Sequence, residues 1–129
     1  VAYTAIGFSP DGGSSWTLPR LVGARKATEL MLFNETLDAA AAHELGLVTR
    51  VVADDALDAE ADALATKLAS GPTTAYGAVK RLLRESTTRG LHEQLADEAR
   101  TISSLAAGPD GREGVAAFLD KRAPHFGGR

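Results

Sequence analysis

The residues best placed to do chemistry lie in Ser9-Pro10-Asp11-Gly12-Gly13-Ser14-Ser15-Trp16. One carboxylate sits on a double-glycine turn that follows a short apolar run and opens a helix. Aspartate in that setting serves as a helix N-cap, accepting backbone N–H groups, or as the acid/base of an enzyme. Two features favour chemistry. The glycines let a ligand approach the backbone closely, and Ile6, Phe8, Trp16 and Leu18 are placed to desolvate the carboxylate and suit it to proton transfer. The helix dipole acts the other way, favouring the charged form. The serines that follow do not form a G-x-S-x-G elbow, because Trp16 stands where the last glycine is needed. Neither a Walker A sequence nor a G-x-G-x-x-G fingerprint is present. Both observations argue against a serine hydrolase or a nucleotide-binding loop.

A second cluster closes the chain. Asp110-Gly111-Arg112-Glu113 reads as a capping box, with Asp110 at the N-cap and Glu113 at N3. Further on, Phe118 and Lys121 are i,i+3 neighbours with Arg122 beside them. An aromatic ring next to an ammonium can clamp a ligand carrying an aromatic base and phosphates. The same pattern is also an ordinary amphipathic helix with a solvated basic end. Lys80, Arg81, Arg84 and Arg89 make a positive stretch that reads first as a solvated face and second as a phosphate-facing patch. His43, His92 and His125 lack paired ligand spacing, so no metal site is assigned.

Something must position these groups, and composition bounds what. The chain has 129 residues, 44% hydrophobic and 24% charged, which describes one globular domain or a piece of one. A net charge of −3 gives no reason to expect nucleic acid or an anionic membrane as partner. No apolar run approaches the roughly 20 residues of a membrane span. With no cysteine, disulfides, thiolate catalysis and zinc–sulfur sites are excluded, and a cytoplasmic location is expected. The chain starts at Val1 with no initiator methionine, so a preceding segment is expected.

The pattern predicts mostly helix. Residues 2–6 read as a short extended segment ending at Gly7, and a short helix runs from Gly12 to about Leu21. The stripe Ala27, Leu30 and Met31, with Phe33 at its edge, predicts a helix ending near Asn34. Asp38 caps a helix over 39–45, with Gly46 as its left-handed terminator. The β-branched run Leu47 to Val52 predicts a strand. Leu57, Ala61, Leu64 and Leu68 share one helix face. Gly71-Pro72, Gly90 and Gly108-Pro109 separate three further helices, and the segment after Ala123 is expected to be irregular. Two parts result: residues 1–54 with the Asp11 turn, and residues 55–129, a helical region.

Three stretches in register resemble the crotonase (enoyl-CoA hydratase/isomerase) superfamily. They are Ile6-Gly7-Phe8-Ser9-Pro10-Asp11-Gly12-Gly13 with Leu18-Pro19-Arg20-Leu21-Val22-Gly23; Leu37-Asp38-Ala39 through Glu44-Leu45-Gly46-Leu47-Val48; and Asp110 through Arg122. The resemblance spans essentially the whole chain but is to the C-terminal half of a family member. It implies an α/β crotonase-type (ClpP/crotonase) fold, of which this part is mostly α-helical with one or two short strands. It also implies that residues 1–54 end the crotonase core and that 55–129 form a trimerisation region, in a homotrimer or dimer of trimers. Two oxyanion-hole N–H groups would come from the other half, so the 129-residue chain alone is expected to be inactive.

Family hydratases use two glutamates, one of them just before the isoleucine–glycine pair. That position aligns with Tyr3, which cannot activate water as a carboxylate does. Pro10-Asp11-Gly12-Gly13 with Trp16 is instead similar to enoyl-CoA isomerases, especially the ring-epoxide isomerase of phenylacetyl-CoA breakdown. There the aspartate matching Asp11 shuttles a proton along the acyl chain. The resemblance therefore implies Asp11 as acid/base, the turn Pro10, Gly12, Gly13 and Trp16 around it, and Phe118 and Lys121 as contacts to coenzyme A. Coenzyme A would enter as part of an acyl-CoA substrate, with no covalently bound cofactor. The alternatives are an enoyl-CoA hydratase of the same superfamily and a non-catalytic helical assembly domain with Asp11 as a cap.

Overall fold

The computed structural model describes residues 2–128. They form two compact units that divide between Asp55 and Ala56.

The first unit opens with a 3-10 turn, Tyr3–Ile6, ended by Gly7 in the left-handed region at φ 78°. This corrects the expected extended segment. The Phe8 amide donates to the Tyr3 carbonyl at 2.9 Å, so the chain doubles back within five residues instead of running on. Helices α1 (Ser14–Val22) and α2 (Ala24–Phe33) follow and pack together, with Gly23 between them. The apolar stripe of α2 does what its spacing predicts: Ala27 and Leu30 are buried, and burying a leucine side chain stabilises by about 2 kcal/mol. Asn34 ends α2 in the left-handed conformation that asparagine tolerates.

Helix α3 (Ala39–Glu44) is capped as expected, Asp38 Oδ1 accepting the Ala41 amide at 2.8 Å. Gly46, at φ 73°, closes a Schellman motif in which the Leu47 amide donates to the Ala42 carbonyl. The predicted strand over 47–52 is absent, and no strand occurs among the described residues. A β-branched run becomes a strand only when a neighbour completes its hydrogen-bond ladder, and no such neighbour is found here.

The second unit contains α4 (Leu57–Ala69), preceded by a 3-10 turn at Asp54–Ala56, then α5 (Thr73–Ser86), α6 (Leu91–Ala107) and α7 (Pro109–Leu119). Helix α6 packs on both α5 and α7. The breaks fall at the glycine–proline pairs and at Gly90, as the sequence predicts. Where α6 meets α7, a Cβ on Gly111 would strike the Leu105 carbonyl, so only glycine allows this approach. Arg81 of α5 and Arg89 before α6 converge on Asp97 of α6 at 2.5 and 2.7 Å. Glu85 joins them at 2.9 and 2.8 Å, and Arg81 also donates to the Thr101 hydroxyl at 2.7 Å. The two guanidinium groups hold the Asp97 carboxyl at about 2, below its ordinary value.

Large apolar side chains remain on the surface of each unit. In the first, Phe8 and Phe33 are 64% and 69% exposed; in the second, Ile102 and Phe118 are 69% and 83% exposed.

Candidate active site

The Asp11 turn is built by its glycines. Gly12 and Gly13 take φ 59° and 80°, two successive left-handed residues that side chains would strain. This reverses the chain so that the Asp11 carbonyl, not its carboxylate, meets the start of α1. That carbonyl accepts the Ser14 amide at 3.0 Å and the Ser14 hydroxyl at 2.8 Å. Gly13 is the N-cap of α1, and no side chain caps the helix. The capping role considered for Asp11 is thereby overturned.

The carboxylate is engaged elsewhere. The Tyr3 phenol donates to Asp11 Oδ1 at 2.6 Å. The carboxylate raises the phenol above its ordinary range, mainly through that hydrogen bond and then through its charge. Tyr3 is held in place through its neighbour. The Thr4 hydroxyl donates to the Met31 carbonyl at 2.8 Å and accepts the Asn34 side-chain amide at 2.7 Å, which fastens the 3-10 turn to the end of α2.

The expected desolvation of Asp11 by its own flanks does not occur. Asp11 is exposed, and Ile6, Phe8 and Trp16 are exposed with it, while Leu18 and Pro10 are half-buried. Trp16 has another partner: the Arg20 guanidinium lies 3.8 Å from its ring centroid and donates to the Trp16 carbonyl at 2.8 Å.

Phe118 and Lys121 belong to the second unit, at the end of α7. The Arg122 amide donates to the Ala117 carbonyl and the Lys121 amide to the Phe118 carbonyl, a Schellman motif with lysine at the position usually given to glycine. Lys121 accordingly adopts φ 52°. Phe118 and Lys121 are both exposed, and neither takes part in the ion pairs of the described residues. Arg122 does not join them. Its guanidinium makes a two-pronged contact with Glu113 at 2.6 and 2.9 Å.

The capping box is also corrected. Gly108 is the N-cap of α7 and Pro109 its first residue, so Asp110 stands inside the first turn and Glu113 just beyond it. Their carboxylates turn to the segment that follows α7. Asp110 accepts the Gly127 and Gly128 amides at 2.7 and 2.9 Å, and Glu113 accepts the His125 amide at 2.8 Å. Arg122 first, and the His125 amide second, lower the Glu113 carboxyl to about 2. Residues 123–128 are irregular, as expected, yet fastened.

The phosphate-patch reading of the positive stretch is not supported at Arg81 and Arg89, whose charges are spent on Glu85 and Asp97. Sequence reasoning missed that network, although Arg81, Glu85, Arg89, Glu93 and Asp97 recur every fourth residue. It also missed the Tyr3 contact to Asp11, for which the turn-forming Gly7 midway between them was the signal. Among the described residues, no group of three or more acidic or histidine side chains is placed to hold a metal ion. No helix of the described residues is long and apolar enough to cross a membrane.

Comparison with known proteins decides the family. The family model for enoyl-CoA hydratase/isomerase matches residues 1–129. The chain belongs to the enoyl-CoA hydratase/isomerase family. Among family relatives, the protein named probable enoyl-CoA hydratase in Rhodobacter capsulatus is 44% identical over 128 residues, covering 99% of this chain and 50% of the relative. The 1,2-epoxyphenylacetyl-CoA isomerase of Escherichia coli is 41% identical over 130 residues, 100% of this chain and 49% of that protein. A solved enoyl-CoA hydratase/isomerase homologue from Mycobacterium abscessus superposes with a TM-score of 0.95 at 42% identity, covering 100% of this chain and 50% of the other. The chain thus spans about half the length of the family members it matches, and its backbone is that of the corresponding part of an enoyl-CoA hydratase fold.

Proposed function

We propose that this chain is the C-terminal half of an acyl-CoA isomerase that moves a double bond by proton transfer. The observation that carries the proposal is the state of Asp11. Its carboxylate is released from capping, presented at the surface of a glycine turn, and met by a phenol where a family hydratase has its second glutamate. In a 3-enoyl thioester, Asp11 would take a proton from C2. The C–H electron pair would pass into a dienolate whose oxygen rests on backbone N–H groups of the other half, and the proton would return at C4. Such stabilisation of developing charge is usually the largest catalytic contribution, so this half alone would not turn over substrate.

The exposed Phe118 and the left-handed Lys121 support a coenzyme A contact at the end of α7, ring against the base and ammonium toward phosphate. Coenzyme A is then part of the substrate and no group is held covalently. The exposed apolar side chains of both units support association with further protein surface, and the reading places the full-length enzyme in the cytoplasm as a trimer or dimer of trimers.

Asp11→Asn in the full-length enzyme should abolish isomerisation while acyl-CoA binding persists. Unchanged turnover would remove Asp11 from the chemistry. The second reading, hydration, is favoured by the name of the Rhodobacter capsulatus relative. Supplying 2-enoyl and 3-enoyl thioesters side by side separates the two, because efficient hydration without double-bond migration would reject the isomerase.

A further inference from the structure

We propose that Tyr3 is a positioning residue for Asp11: its phenol fixes Oδ1 and leaves Oδ2 as the atom that takes and returns the substrate proton. The inference rests on the reading of Asp11 as the acid/base.

A carboxylate on an exposed turn ordinarily rotates about its terminal bond, presenting either oxygen and exchanging its proton with water. Here one oxygen accepts a phenolic hydrogen bond of 2.6 Å, short as expected when the acceptor is ionised. No other side chain holds the carboxylate among the described residues, so its orientation is set by Tyr3. Tyr3 is itself fixed twice, through the turn bond from the Phe8 amide to its carbonyl and through the Thr4 ties to Met31 and Asn34.

None of the charged side chains on the packed helices α1 and α2 contacts the Tyr3–Asp11 pair among the described residues. Arg20 of α1 covers Trp16, Lys26 and Glu29 of α2 pair with each other, Arg25 of α2 makes no hydrogen bond or ion pair to Tyr3 or Asp11 among the described residues, and Asp11 is the charge that acts on the phenol. The tyrosine therefore remains protonated and keeps donating throughout the proton's transfer to and from Oδ2. No proton is consumed: Oδ2 gains one from one carbon and loses it to the other.

The full-length enzyme carrying Tyr3→Phe provides the test, with a 3-enoyl-CoA thioester as substrate in D₂O. Loss of the phenol should lower kcat by about tenfold with KM little changed, as expected for a misoriented catalytic group. It should also raise the fraction of product carrying solvent deuterium, since a carboxylate free to rotate exchanges its proton before returning it. Equal kcat and equal deuterium content would overturn the proposal. Independently of that variant, the Tyr3 phenol should titrate above its ordinary range in the wild type and fall back in Asp11→Asn. A phenol indifferent to that substitution would also overturn it. If Asp11→Asn keeps its turnover, the isomerase mechanism itself fails. If it loses turnover while Tyr3→Phe matches the wild type, only the role of Tyr3 fails.

Discussion

Replacing Lys121 by glycine should strengthen the fold and weaken coenzyme A binding in the same molecule. Lys121 holds φ 52° at the end of α7, where a side chain costs about 1–2 kcal/mol relative to the right-handed helix. Glycine removes that cost but has a freer unfolded chain, which takes back roughly 0.5–1 kcal/mol. The expected net gain is about 0.5–1 kcal/mol. Lys121→Ala serves as reference, because it deletes the ammonium and keeps the strain.

Urea unfolding of the full-length enzyme should therefore rank glycine above both lysine and alanine. Binding should fall in both variants. An ammonium about 4 Å from a phosphate charge in water contributes about 1 kcal/mol, or roughly a fivefold change in Kd. Titration calorimetry with an acyl-CoA ester should show that loss at low salt. It should shrink toward 1 M salt, where the screening length is about 3 Å. A glycine variant no more stable than alanine would refute the strain argument. Undiminished affinity at low salt in both variants would refute the contact.

The two depressed carboxylates make stability sensitive to acid. Glu113 and Asp97, both lowered to about 2 in the folded protein, contribute fully above their ordinary unfolded values of 4.5 and 3.8. Those contributions are lost as pH falls from those values toward 2, because the unfolded chain then binds more protons. Urea midpoints should drop from about pH 5 downward, and Glu113→Gln should flatten that slope; an identical slope in the variant rules Glu113 out as a source. At the α6–α7 contact, Gly111→Ala should cost about 1–3 kcal/mol by overpacking against the Leu105 carbonyl, read as a lower urea midpoint.

Local chemistry in this chain was legible where the partner lies within a turn or two. Asp38 capping Ala41, Gly46 closing α3, Asn34 ending α2 and the glycine–proline breaks all depend on neighbours in sequence, and each stands where the residues predicted. Features whose outcome depends on distant partners were not legible. Asp110 and Glu113 have capping-box spacing, yet amides 12 to 18 residues away compete for the carboxylates and win. Residues 47–52 have strand chemistry but lack a paired neighbour. The every-fourth-residue recurrence from Arg81 to Asp97 hints at a charge network, but its convergence on Asp97 needs α5 and α6 side by side. The Asp11 site was half legible: its residues were identified, its capping alternative was not eliminated, and its phenolic partner was hidden by reading residues 2–6 as extended.

The ties that fix Tyr3 impose a rule on how this region can change through descent. The Thr4 hydroxyl serves the Met31 carbonyl and the Asn34 amide at once, and Asn34 tolerates the left-handed backbone that ends α2. Replacing Thr4 alone leaves the half-buried Asn34 amide only its longer contact to the Leu32 carbonyl at 3.4 Å, and replacing Asn34 alone loses both the donor and a residue suited to φ 57°. These positions, 30 residues apart in the chain, should therefore exchange in concert among homologues. Variation at Tyr3 should follow theirs, so that the acid at residue 11 evolves as one member of a linked set.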